Sequence, residues 1–171
     1  MFPDRQTCGK LQSIPVRQLT TGASDTPSVY IETTIPSYLT AWRSSDLVMA
    51  AKQQTTRRWW DEQRKHFDLF ISDAVLLEAA AGDSEASQRR MDVLDGIPVL
   101  NPLPQADEIV AALIDRLALP NRALADAVYI AICVVHGLDY LLTWNCTHIL
   151  PMPFSSLLFP MCATVLVLEC P

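Results

Sequence analysis

Short apolar segments alternate with longer amphipathic segments between residues 28 and 145. The apolar segments begin at Val29, Phe67, Ile97 and Tyr140, and each is only a few residues long. Aliphatic and aromatic residues dominate them, which predicts buried strands. The segments between them have helical periodicity. Strands alternating with helices are typical of an α/β fold with a mostly parallel central sheet.

Capping residues divide the intervening segments into helices. The first begins at Ser44 or Ser45, and the next runs through "DAVLLEAAAG" to Gly82. Further helices begin at Asp83 or Ser84, near Pro104, and at Asn121, the last ending before Gly137. Side-chain oxygens favour the first position of a helix and glycine favours the position after the last.

The periodic pattern divides the chain into three parts. Residues 1–27 follow neither period, and we expect a flexible extension. Residues 28–150 form the predicted domain, and residues 151–171 form an atypical apolar tail with four prolines. One hypothesis is that residues 1–27 result from an upstream start codon and that the tail results from a shifted reading frame.

Composition restricts the functional classes. The net charge of −6 disfavours a protein that holds nucleic acid by bulk charge, although a local site with bound cations is compatible with it. The five cysteines form no Cys-x-x-Cys pair, which favours a reducing, cytoplasmic compartment and disfavours zinc. The apolar run near the end is too short to span a bilayer, so we expect a soluble protein with no membrane partner.

Four oxygen-bearing side chains are predicted to converge at one edge of the sheet. Glu32 ends the first strand, and Asn145 follows the fourth. Glu78 and Asp126 each lie one turn into a helix that leads from or towards a strand. Ligands of open parallel sheets bind at the carboxyl ends of the strands, so we interpret this edge as a candidate site.

Each of these residues also has an ordinary structural interpretation. Glu32 could be a solvated strand end, Glu78 a surface residue, and Asn145 part of a turn. The context "AVLLEAAAG" contains no other charge, however, and predicts a helix covered on most sides. Asp126 is the only charged residue between positions 123 and 135, in a helix that is apolar nearly all round.

Burying a lone carboxylate costs several kcal/mol unless it is paired or binds a cation. Three carboxylates and an amide oxygen suit Mg²⁺ or Mn²⁺, which prefer oxygen ligands. A cation of this kind is a common cofactor of phosphodiester hydrolysis.

Three segments in order, "VYIETTIPSYL", "LFISDAVLLEAAAGD" and "ALADAVYIAICVVHGLDYLLTWNCTHI", resemble PIN-domain proteins, most closely the VapC-type toxins of bacterial toxin–antitoxin pairs. The resemblance implies a three-layer α/β/α fold and a Mg²⁺- or Mn²⁺-dependent endoribonuclease. It also implies an antitoxin protein as partner and a homodimer.

The resemblance assigns roles to individual residues. Glu32, Glu78 and Asp126 would be catalytic and, with Asn145, would hold the metal. Thr33 and Thr143 would support the site.

Three features depart from the family pattern. Glu32 stands where aspartate is usual, Asn145 is neutral where aspartate is common, and the tail matches neither the polar helix nor the last strand that the family implies. A catalytically silent PIN-like scaffold that binds RNA or a protein therefore remains an alternative. For an RNA substrate, Arg43 and Arg122 lie near the predicted edge and are candidate phosphate contacts.

Overall fold

A computed structural model of the chain describes residues 26–117, 124–145 and 164–167. Five strands lie in this part of the chain: β1 (Ser28–Ile31), β2 (Asp68–Ser72), β3 (Val99–Leu100), β4 (Tyr140–Thr143) and β5 (Thr164–Val167). The six α-helices there are α1 (Thr34–Thr40), α2 (Leu47–Glu62), α3 (Asp73–Ala79), α4 (Ser84–Leu94), α5 (Pro104–Leu117) and α6 (Leu124–His136). A 3₁₀ turn, Arg64–His66, links α2 to β2.

The strands form one parallel sheet in the order β3-β2-β1-β4-β5. Strand β1 is central, and its Tyr30 pairs in register with Phe70 of β2 and Leu141 of β4. The chain builds outwards from β1 to β3 and then returns to place β4 on the other side of β1. The strand order therefore reverses between β1 and β4. Open α/β sheets bind their ligands at such a switch point, outside the carboxyl ends of the strands.

Burial of the central strand shows that the sheet is covered on both faces. Val29, Tyr30 and Ile31 of β1 are fully buried, and successive side chains of a strand point to opposite faces. Leu141 and Leu142 of β4 are buried in the same way. Helices on both faces of a parallel sheet give the three-layer α/β/α arrangement, which confirms the predicted fold class.

Helix ends follow the capping chemistry with two shifts in position, one at the start of α2 and one at α3, which ends at Ala79 rather than next to Gly82. The predicted cap of α2 at Ser44 or Ser45 is wrong, because the Asp46 carboxylate accepts the Met49 N–H at 2.8 Å. Asp83 caps α4 by accepting the Ala86 N–H at 2.9 Å, as one of the two predicted alternatives. Three neighbouring candidate oxygens made the α2 boundary ambiguous.

Helix α6 ends in a Schellman motif. Gly137 has a φ of +62°, its N–H bonds to the Val134 carbonyl, and the Leu138 N–H bonds to the Cys133 carbonyl. The left-handed conformation explains the glycine at this position. Its Cβ would meet no atom within 4 Å, so only the backbone conformation restricts the residue.

The expectation that the tail contributes no last strand is wrong, because strand β5 lies within it. Residues 164–167 pair in parallel with β4 along its whole length. A short, continuously apolar run is compatible with a buried strand but is not diagnostic of one. The remaining predictions for residues 1–25, for the Asn121 cap and for the rest of the tail lie outside the described residues. Within the described part, no helix is long and apolar enough to cross a membrane.

We predict that Gly137→Ala lowers the free energy of unfolding by about 1–2 kcal/mol, the usual penalty of a left-handed backbone for a residue with a Cβ. Gly137→Asn should cost less, since asparagine tolerates this conformation. Urea denaturation of the three proteins measures both effects. Equal stability of the alanine variant and the parent would contradict the proposed cause.

Candidate active site

The turn between β1 and α1 buries a carboxylate. Glu32 directly follows β1 and is only 4% exposed. The Thr34 N–H donates to Glu32 Oε2 at 3.0 Å, and the Thr34 hydroxyl donates to Oε1. The same hydroxyl accepts the Trp144 N–H at 3.1 Å, just past β4. Thr34 thus ties the carboxylate to the ends of both strands at the switch point.

Burial dominates the electrostatics of Glu32. It raises the pKa of the carboxyl group, and hydrogen bonds from Thr34, from Thr143 and from the Trp144 N–H offset this only in part. In the described ranges no lysine or arginine forms an ion pair with Glu32, since the single ion pair there joins Arg89 to Glu85. Within the described residues, Glu32 is therefore a buried acid stabilised by dipoles, an arrangement that costs free energy in the ionised form.

Asp126 is a second buried carboxylate, and it contacts the residue that follows β4. It is the third residue of α6 as described and is 4% exposed. The Asn145 Nδ2 donates to Asp126 Oδ1 at 2.7 Å, and the Asn145 N–H donates to Thr143 Oγ1 at 2.8 Å. Thr143 also lowers the pKa of the Glu32 carboxyl group, so this threonine interacts with Glu32 directly and with Asp126 through Asn145.

Glu78 occupies a different environment. It is exposed on α3, beside Leu77, whose side chain is 75% exposed. The prediction that this helix is covered on most sides is therefore wrong: only residues such as Val75 and Ala79 face the core. The prediction failed because this short helix is rich in alanine. Alanine adds no charge to the sequence, but it is often found at the surface as well as in the core.

Two hydroxyl groups hold the Glu78 carboxylate. The Tyr129 hydroxyl of α6 donates to Glu78 Oε2, and Thr33 Oγ1 donates to the same oxygen at 2.9 Å. Thr33 Oγ1 and the Tyr129 hydroxyl are themselves 2.9 Å apart. Glu78 thus connects to the β1–α1 turn through Thr33, whereas Glu32 connects to it through Thr34.

The sequence did not predict that Thr34 and Tyr129 contact carboxylates of the candidate site. Thr34 follows Glu32 by two residues, and short hydroxyl side chains in that position commonly bond back within a turn. Tyr129 follows Asp126 by three residues, so the two share a face of α6. Their spacing was visible, but the carboxylates that they contact could be identified only from the fold.

The residues suggested for RNA contact are only partly described. Arg43 is exposed in the segment after α1. Its neighbour Trp42 is 77% exposed, with the Arg89 guanidinium 5.2 Å from the ring centroid. Arg122 lies outside the described residues.

Oxygen donors at this edge suit a hard cation in kind. Among the described residues, no three His, Cys, Asp or Glu side chains are placed to share one metal ion. Mg²⁺ usually takes one or two carboxylates and keeps several waters, so the buried pair Glu32 and Asp126 is a sufficient charged set. The Asn145 Nδ2 donates to Asp126, which holds the side-chain amide beside this carboxylate. The amide oxygen of Asn145 is then a further ligand that the site can offer to a cation.

Known structures supply an independent comparison. The chain matches no protein-family model and no curated protein by sequence. It is similar to a chain of VapBC2 from Rickettsia felis, solved with a promoter DNA fragment, at a TM-score of 0.56 and 13% identity, covering 82% of this chain and 98% of that one.

Two further structures give the same result. The VapC20 toxin of Mycobacterium tuberculosis, which cleaves the sarcin–ricin loop, matches at a TM-score of 0.56 and 15% identity, over 72% of this chain and 95% of that one. A chain of a toxin–antitoxin complex from Klebsiella pneumoniae matches at 0.55 and 21% identity, over 74% and 93%. At such low sequence identities, the structural similarity establishes the fold and nothing finer. The protein has the fold of the VapC-type PIN-domain toxins.

Proposed function

We propose that this protein is a Mg²⁺- or Mn²⁺-dependent endoribonuclease and the toxin of a toxin–antitoxin pair. The observation that carries the proposal is Glu32, an acid buried at the switch point with no cation from the described chain beside it. Asp126 is joined to the same strand ends through Asn145, whose side-chain amide bonds to Asp126 and whose backbone N–H bonds to Thr143. Similarity to a toxin that cleaves RNA supports the choice of substrate.

Each side chain has a distinct task in this proposal. Glu32 and Asp126 bind the cation, and Asn145 orients Asp126 while adding an amide oxygen. Thr34 and Thr143 fix the Glu32 carboxylate. Glu78, at the exposed rim, reaches the cation directly or through one of its waters. The chemistry that a bound Mg²⁺ supplies is a polarised phosphoryl oxygen and a water of lowered pKa.

RNA and protein partners are part of the same proposal. Arg43 and Arg122 would contact phosphates next to the site. An antitoxin protein would regulate the enzyme, as suggested by the likeness to chains from toxin–antitoxin assemblies, and the active form would be a homodimer. The catalytically silent scaffold differs from this proposal only in activity, so a cleavage assay separates them.

We predict that Asp126→Asn abolishes RNA cleavage. The change keeps the size of the side chain and an oxygen for the Asn145 bond, but removes the charge that holds the cation. The measurement is cleavage of a panel of structured RNAs in Mn²⁺, Mg²⁺ or EDTA. Asp107→Asn is the matched control, since Asp107 also lies in the first turn of a helix but is exposed on α5.

Cleavage by the parent protein and the control, lost in EDTA and in the Asp126 variant, is the expected result. Absence of cleavage by a folded, metal-saturated parent would favour the silent scaffold. Cleavage that persists in EDTA would exclude a metal-dependent mechanism.

We predict that Glu32→Gln stabilises the metal-free protein at pH 7. Burial raises the pKa of Glu32 in the folded state, so the folded protein binds more protons than the unfolded chain in this range. Stability is therefore lost as the pH rises through the folded pKa. Glutamine removes that loss, and the advantage of the variant should grow between pH 4 and pH 7 in urea denaturation with EDTA.

Mg²⁺ should reverse the order of stability. A ligand present at 100 times its dissociation constant stabilises the folded state by about 2.7 kcal/mol. The parent protein should gain this amount, and the Glu32→Gln variant should gain far less. Equal gains in both proteins would show that Glu32 does not bind the cation.

A further inference from the structure

Tyr129 joins the candidate site from the core. Its side chain is 4% exposed, and its hydroxyl reaches the exposed Glu78 across the gap between α6 and α3. Thr33, 5% exposed, approaches the same carboxylate oxygen from the β1–α1 turn. An exposed acid is thus held by two buried hydroxyls that belong to two other elements.

The proton inventory fixes what this cluster can do. Three oxygens lie in mutual contact, but the two hydroxyls supply only two protons, and an ionised carboxylate supplies none. Either both hydroxyls donate to Glu78, or one donates to the other and that one donates to Glu78. At least one hydroxyl therefore bonds to Glu78 Oε2 in every arrangement that keeps two contacts.

Anchoring one oxygen orders the other. No hydrogen bond of the described residues uses Glu78 Oε1, whereas Oε2 lies within hydrogen-bonding distance of both hydroxyls. A glutamate on an exposed helix otherwise samples many rotamers, and ordering it on binding has an entropic cost. With Oε2 already held, this cost is met during folding, and Oε1 stays available to a cation or to its water.

We propose that Tyr129 is a positioning residue, which sets the affinity of the site for its cation by holding Glu78 through a hydroxyl hydrogen bond. The inference rests on the proposed function, because it assumes that a divalent cation binds beside Glu78. In this inference Tyr129 does not contact the cation itself. It acts through Glu78, which binds the cation or one of its waters. Groups of this kind typically change metal affinity 10- to 100-fold when they are removed.

A purely structural role for Tyr129 has to be separated from this one. Its ring packs against Tyr30, with centroids 5.8 Å apart, so both tyrosines contribute to the core. The Tyr30 hydroxyl bonds to Ser72 Oγ at 2.6 Å rather than to an acid of the site. Tyr30→Phe is therefore a matched control: it removes a buried, hydrogen-bonded hydroxyl from the adjacent ring without touching Glu78.

The test is the dissociation constant for Mn²⁺, measured by isothermal titration calorimetry on the metal-free full chain. Tyr129→Phe should weaken Mn²⁺ binding about 10- to 100-fold, whereas Tyr30→Phe should lower stability but leave the affinity unchanged. In a Glu78→Ala background, Tyr129→Phe should cause no further loss of affinity, because the residue acts through Glu78.

Thr33→Val provides a second variant if Tyr129→Phe does not fold. It removes the other hydroxyl at Oε2, and it sacrifices no helix cap, since the Thr33 side chain makes no capping bond to α1. The expected result is again weaker Mn²⁺ binding. Near-UV circular dichroism verifies that each variant is folded.

Parental Mn²⁺ affinity in folded Tyr129→Phe would overturn the inference, as would a further loss caused by this change in the Glu78→Ala background. If Tyr129→Phe is unfolded, parental affinity in Thr33→Val would do the same. A parent that binds Mn²⁺ and cleaves RNA while these variants match it would refute only the role of Tyr129. A parent that neither binds Mn²⁺ nor cleaves RNA would refute the proposed function as well.

Discussion

The arrangement of this protein depends on a carboxylate buried at the end of its central strand. Glu32 follows three fully buried residues of β1 and is itself 4% exposed. The ionised form costs free energy there, and burial raises its pKa accordingly. Hydrogen bonds from Thr34, Thr143 and the Trp144 N–H reduce this cost without cancelling it. A buried acid of this kind gains most from a cation, which is the reason for proposing a metal at this edge.

Topology gives the same edge a second role. Because strand order reverses between β1 and β4, side chains that follow these two strands meet without a helix between them. Two adjacent threonines of the turn contact different acids. Thr34 bonds to Glu32, whereas Thr33 and Tyr129 both bond to Glu78. A displacement of the β1–α1 turn would therefore disturb two acids at once, so the turn couples the buried part of the site to its exposed rim.

Much of this organisation could be predicted from local pattern. Short apolar runs located β1 to β4, and the isolated charge of Asp126 in an apolar helix predicted its burial, which the structure confirms. Exposure of Glu78 could not be predicted in this way, because an alanine-rich helix has the same pattern whether one side or most of it is covered. Tyr129 has an ordinary core spacing, and only the fold brings its hydroxyl to Glu78. Strand β5 lacked a signal because a continuous apolar run fits several structures.

Anomalous diffraction from crystals of the metal-free protein soaked in Mn²⁺ tests the central claim most directly. The account predicts one strong anomalous peak at the carboxyl ends of β1 and β4, within coordination distance of Glu32 and Asp126. The peak should disappear in Asp126→Asn crystals grown and soaked in the same way. A peak elsewhere on the protein, or none at this edge at saturating Mn²⁺, would contradict the assignment of the buried acids to a metal site.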